Sequence, residues 1–290
     1  MTINRRNILV GTVTLATAAI RSPQCSAQKS RVSQDELDHA IQLHLMWLDD
    51  PDNGQRCVFT SRNLSGLKFC TKDGDPINLS GADFTQANLS ETQADDILFH
   101  HCSFNGAKLD GARWRNPVLA YADMRRVSAQ RVELGSSGGS DSAERLTADF
   151  SHTILKNADL TNARICGYFY GTRLGEASLA QADLSFSDFI GPKYDFEMSF
   201  SGARLGGAKL RYCRISLASF YNADCSETDF SRSTFRDVKM KGCNLSRARF
   251  RGAEVKRTMF SPDQMRVANL RRVIVEEDYH STLGFGFRVR

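Results

Sequence analysis

Large apolar residues recur at every fifth position along much of this chain. Between Phe200 and Phe260 they hold one phase, and a small residue usually stands two places before each of them. On an α-helix, five residues advance the side chain by about 140°, so these residues would spiral around the helix without forming a face. On a flat strand, an odd step reverses the side chain at each repeat. The chain must therefore turn once per unit and stack its units into a solenoid.

The same period covers most of the remaining sequence. One phase runs from Phe59 to Leu134. The pattern restarts one position later at Phe150, and this phase predicts that Tyr170 is a large inward residue. At Leu174 the phase returns by one position. Glycine often stands two residues after a large inward residue, where a corner needs permissive dihedral angles. Asparagine or aspartate often stands just before it, which indicates a turn-forming role and not a catalytic one.

Individual units carry a recognisable motif. Residues 82–85, 87–90, 158–161 and 182–185 read Ala-Asp-Phe-Thr, Ala-Asn-Leu-Ser, Ala-Asp-Leu-Thr and Ala-Asp-Leu-Ser. These units resemble the A(D/N)LXX repeat of the pentapeptide-repeat family, and the resemblance covers roughly residues 57 to 275. It implies an all-β fold, a right-handed quadrilateral parallel β-helix with four pentapeptides per coil. The sequence adds a short N-terminal capping helix to this solenoid.

Residues 1–27 are predicted to be a signal peptide. Arg5 and Arg6 resemble a twin-arginine motif, and an apolar run from Ile8 to Ile20 follows them. This run is too short to span a bilayer. Residues 25–27 form a small-x-small cleavage site before Gln28. We therefore expect export, with a periplasmic location, and no transmembrane segment in the mature chain. A cytoplasmic location is the alternative.

The remaining chain divides at breaks in the repeat. Residues 28–56 are predicted to form a capping helix and linker, in which a capping box of Ser33 and Glu36 opens a helix to about Asp49. Leu37, Ile41, Leu45 and Leu48 fall on one face of that helix. Repeat coils at 57–134 and 148–275 are separated by a flexible glycine- and serine-rich loop at 135–147.

Two further elements are predicted towards the C-terminus. Ser261 and Pro262 indicate a helix start inside the second block of coils. Residues 276–290 are expected to be a C-terminal cap or a dimerisation strand, because apolar residues alternate from Leu283 to Val289. An exposed edge there would pair with a second copy, so a homodimer through this end is one interpretation.

Composition adds little about partners. The chain has 290 residues, of which 41% are hydrophobic and 24% charged, and a formal net charge of +5. Without residues 1–27, 35 basic and 33 acidic residues leave +2. None of the eight cysteines lies 20 residues from another, as stacking on adjacent coils would require, so we expect no disulfide framework. We expect the cysteines at repeat positions to act as small buried residues: Cys57, Cys102, Cys213, Cys225 and Cys243.

The sequence contains no motif that indicates catalysis. It lacks a Walker A loop, a GxGxxG turn after a strand, HExxH and CxxC. His100 and His101 are adjacent, but consecutive side chains on an extended segment point in opposite directions. A filled solenoid also implies no cleft. We therefore expect no enzyme activity, no cofactor and no metal site.

Charge is distributed unevenly along the chain. Residues 31–100 carry twelve acidic and five basic residues, a net of −7, whereas residues 231–257 carry nine basic and two acidic residues, a net of +7. A spacing of 20 residues places Arg236 beside Lys256 and Arg251 beside Arg271 on neighbouring coils. Stacked like charges repel, which favours an anionic partner. The predicted anion- or partner-binding residues are Arg232, Arg236, Lys239, Lys241, Arg247, Arg249, Arg251, Lys256 and Arg257.

These observations favour a non-enzymatic, exported scaffold that presents flat β-helix faces to a protein partner, which the sequence does not identify. Two alternatives remain. The family resemblance suggests a DNA mimic that inhibits topoisomerases, although mimicry needs an acidic rod and this chain is slightly basic. The basic C-terminal coils suggest an anion binder, with nucleic acid or anionic lipid as its ligand.

Overall fold

The computed structural model describes residues 31–70, 76–135, 148–192, 198–258, 260–270 and 272–276. Two helices and sixteen short strands occur there. Their bounds are α1 Gln34–Asp49, β1 Lys68–Phe69, β2 Ile77–Asn78, β3 Gln93–Asp95, β4 Ile97–Leu98, β5 Arg113–Arg115, β6 Glu133–Leu134, β7 Ala148–Asp149, β8 Arg164–Ile165, β9 Gly167–Tyr168, β10 Asp188–Ile190, β11 Met198–Ser199, β12 Arg214–Ser216, β13 Ala218–Ser219, β14 Thr234–Arg236, β15 Glu254–Lys256, α2 Pro262–Val267 and β16 Ile274–Glu276.

All strand pairs in the described residues are parallel, and they form the four faces of a solenoid. Face 1 runs from Val58 through Asp83 and Ser103 to β11, β13 and Lys239. Face 2 runs from Asn63 to Asn244 through isolated bridges alone. Face 3 contains β1, β3, β5, β6 and β8 and continues to Asn269, and face 4 contains β2, β4, β7, β9, β10, β12, β14, β15 and β16. The predicted four-sided parallel β-solenoid is confirmed.

Each five-residue unit repeats the same backbone hydrogen bonds. In the unit centred on Phe84, the Phe84 N–H donates to Ser103 O on the next coil at 2.8 Å, and the Gln86 N–H donates to Asn105 O at 2.9 Å. The Ala87 N–H donates back to Phe84 O at 2.9 Å and closes the corner. The ladder and the corner turn therefore satisfy most backbone groups of a coil without help from side chains.

Corner geometry explains why glycine often stands two residues after a large inward residue. Gly207 has φ 69°, in the left-handed region that glycine adopts without steric cost. Residues with side chains adopt the same conformation at other corners, including Gln86, Tyr121 and Arg232. The hydrogen-bonded coil thus imposes the dihedral angle even where the sequence does not favour it.

Asparagine and aspartate before the large inward residue stabilise the corner, as the repeat predicts. The Asp83 carboxylate accepts a hydrogen bond from the Thr85 N–H at 2.9 Å, and Asn244 accepts one from the Ser246 N–H at 3.1 Å. Partial burial alone would raise the pKa of Asp83, but hydrogen bonds from Thr85 and Thr60 and the charge of Arg56 leave that pKa below its usual value. The carboxylate is therefore a structural acceptor.

The interior is filled by one large and one small side chain from each unit. Aromatic rings stack along the axis, with centroids 4.7 Å apart for Phe150 and Phe169 and 4.4 Å apart for Phe200 and Phe220. Both pairs are buried. This close packing along the axis makes a single continuous core.

The phase of the repeat around residue 170 differs from our prediction. Phe169 is the inward residue, whereas Tyr170 is 42% exposed. Phe169 stacks on Phe150 and on Phe189, whose ring lies 4.6 Å away. A Tyr170 hydroxyl placed in the apolar interior would be a buried polar group without a hydrogen-bond partner. The phase of the repeat therefore changes before Phe169 and not at Leu174.

Helix α1 lies over the N-terminal end of the solenoid, as predicted. Its N-cap Ser33 accepts a hydrogen bond from the Glu36 N–H at 3.1 Å. Leu37 and Ile41 are buried in the core cluster, but Leu48 is 37% exposed and His44 takes the third buried position. His44 Nδ1 accepts a hydrogen bond from the Cys57 N–H at 3.0 Å, which joins the helix to the first coil.

Helix α2 also begins where the sequence predicts. Ser261 and Gln264 form a capping box. The Gln264 amide then donates to Met240 O at 2.7 Å and Cys243 O at 2.8 Å in a buried position. Beyond α2 the coil resumes, because β16 pairs with β15.

The cysteines at repeat positions are buried, as expected for small core residues. Burial raises the pKa of the Cys57, Cys102 and Cys213 thiols to about 12, so these thiols are un-ionised at neutral pH. All seven cysteines in the described residues are free thiols, and Cys70 is the exposed one.

Several predictions lie outside the described residues. These are the signal peptide at 1–27, residues 136–147 of the loop, and residues 277–290, which include most of the C-terminal cap or dimerisation strand. They remain predictions. Among the helices of the described residues, neither is long and apolar enough to cross a bilayer.

Truncation of one interior ring tests the stacked core. We expect Phe220→Ala to lower the free energy of unfolding by about 3–5 kcal/mol, because it leaves a cavity beside Phe200. Tyr221, the next residue, is 47% exposed, so Tyr221→Ala should change stability by no more than about 0.5 kcal/mol. Urea denaturation followed by circular dichroism measures both. Equal losses would contradict this core.

Low pH should lower the stability of the N-terminal end of the solenoid. Burial lowers the pKa of His44 from its ordinary value of 6.5, so the unfolded chain binds more protons below that pH. The contribution of His44 is therefore complete above about pH 6.5 and decreases as the pH falls towards the lowered value, by at most about 1.4 kcal/mol per pH unit.

Urea denaturation between pH 8 and pH 5 measures this effect. His44→Asn keeps a hydrogen-bond acceptor without titrating, so it should remove this part of the pH dependence. His39→Asn, on the exposed side of α1, should keep it. A wild-type profile that matches His44→Asn would contradict the assignment.

Candidate interaction surfaces

The nine predicted basic residues do not form one patch. Arg236 and Lys256 lie on face 4, Arg249 and Arg251 flank Phe250 on face 3, and Lys239 and Lys241 flank Met240 on face 1. The other three occupy corner positions with positive φ: Arg232, Arg247 and Arg257. The C-terminal coils are thus basic on several sides.

Several of these residues have partners within the solenoid. Arg257 forms two hydrogen bonds with Asp237, at 2.6 and 2.7 Å. Arg247 lies 3.4 Å from Glu227. Arg236 and Lys256 are register partners on neighbouring strands, as the spacing predicted. The predicted neighbour of Arg251, Arg271, lies outside the described residues.

Face 3 carries charges of alternating sign. Successive coils place Arg113, Glu133, Arg164, Asp183, Lys209, Asp229 and Arg249 in one row. The shortest N–O separations are 3.7 Å for Arg113–Glu133, 3.8 Å for Arg164–Glu133 and 3.5 Å for Lys209–Asp183. Opposite charges therefore largely neutralise one another along this row, and face 3 presents little net field.

Face 4 differs from face 3 because its N-terminal and central part carries no basic side chain. From β2 to β10, no lysine or arginine occurs among the described residues of this face. Tyr168 and Tyr170 are 49% and 42% exposed. We define the aromatic patch as these two residues with Leu98, Val118, Tyr121 and Ile190. Leu98, Val118 and Ile190 are half-buried, and the register partners of Tyr168 are Asp149 and Asp188. Aromatic and apolar side chains grouped in this way mark an interaction site more often than scattered ones do.

A row of stacked rings lies at the corner between faces 4 and 1 and includes Tyr121 and Tyr170 of the aromatic patch. His101 stacks on Tyr121 with centroids 5.0 Å apart, and Tyr121 stacks on His152 at 4.8 Å. His152 meets Tyr170 edge to face at 5.3 Å. We did not predict this row from the sequence. The available signal was that His101 and Tyr121 both stand two residues after a large inward residue and 20 residues apart.

Towards the C-terminus the same face carries basic residues, and it also carries Glu254 on β15 and Glu276 on β16. Arg214 donates to Asp188 at 2.7 Å, and Arg236 and Lys256 follow on the next two coils. Face 4 therefore joins an aromatic region to a charged region that contains Arg236 and Lys256 on one continuous sheet.

The coil also has a surface hollow, contrary to our expectation of no cleft. It lies at the corner between faces 3 and 4, has a volume of about 270 Å³, and is lined by residues that include Arg164, Ser185, Phe186 and Arg211. No group of three or more metal-binding side chains occurs in the part of the chain that the structure describes.

Comparison with known proteins identifies the repeat. The sequence model of a family described as pentapeptide repeats (8 copies) matches residues 77–113, 199–237 and 230–261. No curated protein matches the chain.

The chain is also similar to solved structures. HetL, a pentapeptide repeat protein involved in heterocyst differentiation regulation from the cyanobacterium Nostoc sp. strain PCC 7120, is 21% identical, with 78% of this chain and 92% of HetL covered and a TM-score of 0.45. Full-length QnrB1, a plasmid-mediated fluoroquinolone resistance protein, is 17% identical, with 76% and 92% covered and a TM-score of 0.30.

These identities and scores give no indication of what this chain binds. The family match agrees with the five-residue period, the positive-φ corners and the parallel four-sided solenoid. This chain contains the repeats of the pentapeptide-repeat family.

Proposed function

We propose that this protein is a non-enzymatic scaffold that binds a protein partner on face 4. The observation that supports this most strongly is the aromatic patch, which contains Tyr121, Tyr168 and Tyr170 at exposures of 54%, 49% and 42%. Tyrosine is enriched at protein interfaces because it combines a large apolar body with a polar tip. The rigid coil holds these rings in place before binding, which reduces the entropy cost of association.

The charge distribution on face 4 suggests the chemistry of the partner. A surface that covers the aromatic patch would be apolar where it meets the tyrosine rings. Its continuation over Arg236 and Lys256 would carry acidic groups, because these two basic residues are register partners on neighbouring strands. We therefore propose a partner with an apolar region next to an acidic one.

We do not propose mimicry of DNA. A mimic must present closely spaced negative charges, whereas the row on face 3 alternates in sign and the C-terminal coils are basic. Anion binding by the basic coils is an alternative outcome of the experiment below.

Substitution on face 4 tests the proposal. The wild type should capture a protein from cell extract, and the double variant Tyr121→Ser, Tyr168→Ser should bind that protein at least about tenfold more weakly. The reason is that interface tyrosines contribute about 2 kcal/mol or more at hot spots. Tyr221→Ser is the matched control, because Tyr221 has similar exposure but lies on face 1. Hydroxyl-radical footprinting of the purified complex should show protection of Tyr168 and Tyr170.

Other outcomes would redirect the proposal. Equal capture by all three proteins, or footprinting protection on another face, would exclude face 4. Binding to duplex DNA or to anionic vesicles that weakens steeply with salt and is lost in Arg236→Gln, Lys256→Gln would favour the anion-binding alternative.

We also propose that the chain acts in the periplasm after twin-arginine export, on the basis of residues 1–27. Cell fractionation should recover a mature chain that begins at Gln28. Arg5→Lys, Arg6→Lys should retain the longer precursor in the cytosol, and Arg126→Lys should be exported normally. A wild-type chain found in the cytosol with its first residues intact would contradict export.

A further inference from the structure

The row of stacked rings continues towards the N-terminus through Gly81 to Arg56. Each of these residues stands just before a small buried residue, and those buried residues are equivalent on three successive coils: Cys57, Ala82 and Cys102. The row therefore contains Arg56, Gly81, His101, Tyr121 and His152 in that order. Glycine leaves one position without a side chain, and we call the space above it the Gly81 gap.

The Gly81 gap is open to solvent. Gly81 has φ 80°, and a Cβ there would meet no atom within 4 Å apart from the adjacent residues of the chain. Two coils separate Arg56 from His101, which is about 10 Å at a strand spacing near 4.8 Å. A planar ring in the gap would thus lie about 5 Å from His101. His101 and Tyr121 are already stacked at this spacing, with centroids 5.0 Å apart.

His101 directs one face of its ring towards the Gly81 gap. The opposite face stacks on Tyr121, with an angle of 15° between the planes. At the other end of the row, Tyr170 meets His152 edge to face and covers it. The row can therefore be extended at His101, where the preceding position is glycine. A flat aromatic ring suits this position, because aromatic rings pack well in offset stacks.

Arg56 supplies a cation beside the same gap. Its Nε donates to the Gly81 carbonyl oxygen at 2.6 Å, which holds the guanidinium next to the gap. The Asp83 carboxylate lies close to it. Burial raises the pKa of Asp83, whereas hydrogen bonds from Thr85 and Thr60 and the charge of Arg56 lower that pKa. A negative charge is thus already present near Arg56, which favours a neutral ring over an anion. A guanidinium attracts the face of an electron-rich ring.

We infer that the Gly81 gap binds one electron-rich aromatic ring, the side chain of a tyrosine or tryptophan of the protein partner. The ring stacks on His101 and contacts the Arg56 guanidinium. It adds one member to the row that contains Tyr121 and Tyr170 of the aromatic patch. This inference rests on the proposed scaffold function and deepens it, because it names one contact that the partner makes.

Titration of the protein with N-acetyltryptophanamide, followed by NMR, tests the gap without the partner. This probe carries an indole ring and no net charge. The ring protons of His101 should shift and reach saturation, whereas those of Tyr221, an exposed residue on face 1, should not. N-acetylleucinamide lacks the ring and should cause no saturating shift of His101. Equal responses to the two probes, or no response to either, would overturn the inference.

Variants locate the bound ring. Gly81→Asn fills the gap, and asparagine tolerates a positive φ, so this variant should bind the tryptophan probe about three- to tenfold more weakly. Gly106→Asn is the matched control, because Gly106 has φ 69° and lies in a row between Gln86 and Arg126, which carry no ring. His101→Asn should weaken binding by a similar factor, and His101→Phe should retain it.

Arg56→Gln measures the contribution of the cation. It should weaken binding of the probe by about two- to fivefold. A thermal unfolding scan shows which variants are folded. If Gly81→Asn is unstable, folded His101→Asn and His101→Phe decide the question. Affinity that is unchanged in every folded variant, or reduced equally in Gly106→Asn, overturns the inference.

Capture from cell extract distinguishes failure of this inference from failure of the scaffold proposal. Together with probe binding, weaker capture by Gly81→Asn than by Gly106→Asn supports the inference. Capture that weakens in the double variant Tyr121→Ser, Tyr168→Ser but not in Gly81→Asn overturns the inference and leaves the scaffold proposal standing. A wild type that captures no protein contradicts the scaffold proposal, whereas a saturating shift of His101 still supports a ring site in the gap.

Discussion

The structure depends on a backbone that must turn every five residues and still find partners for its peptide groups. Each coil meets this requirement by bonding to the next coil, as when Leu205 N donates to Asp224 O at 2.6 Å and Gly207 N donates to Ser226 O at 2.8 Å. The corner bond from Ala208 N to Leu205 O closes the unit. Because these bonds are made at every repeat, the positions of side chains inside and outside are fixed together.

This regularity arranges the surface in rows. A side chain on one coil has its nearest neighbour about 20 residues away, so each row is a series of direct contacts between equivalent positions. On face 3 the row alternates in charge from Arg113 to Arg249 and is largely neutralised. At the corner between faces 4 and 1 the row consists of rings, and the basic pair Arg236 and Lys256 follows on face 4 itself. The side chains that meet at the surface of this fold are therefore those of one row, about 20 residues apart, and not those of one continuous sequence segment.

Departures from the repeat produce the features that a regular coil lacks. A filled solenoid has flat sides, and a concavity forms only where a turn is shortened or lengthened. The four-residue step from Ile165 to Phe169 forms such a concavity beside Phe186 and Arg211. The irregular side of the molecule therefore adjoins the face that we propose as the interaction surface.

The sequence by itself determined the solenoid, its faces and its N-terminal capping helix. A five-residue period excludes helix and flat sheet on geometric grounds, and the capping boxes at Ser33 and Ser261 place both helices. It also placed Arg236 beside Lys256, because neighbours in a row follow from the spacing. The tertiary structure decided which residues point inward where the five-residue period allows more than one choice. Phe169 and not Tyr170 points inward, because only the packed interior excludes a hydroxyl, and His44 and not Leu48 joins α1 to the first coil through the Cys57 N–H. The hollow and the ring row also follow from the tertiary structure alone, because each depends on which side chains neighbouring coils bring together.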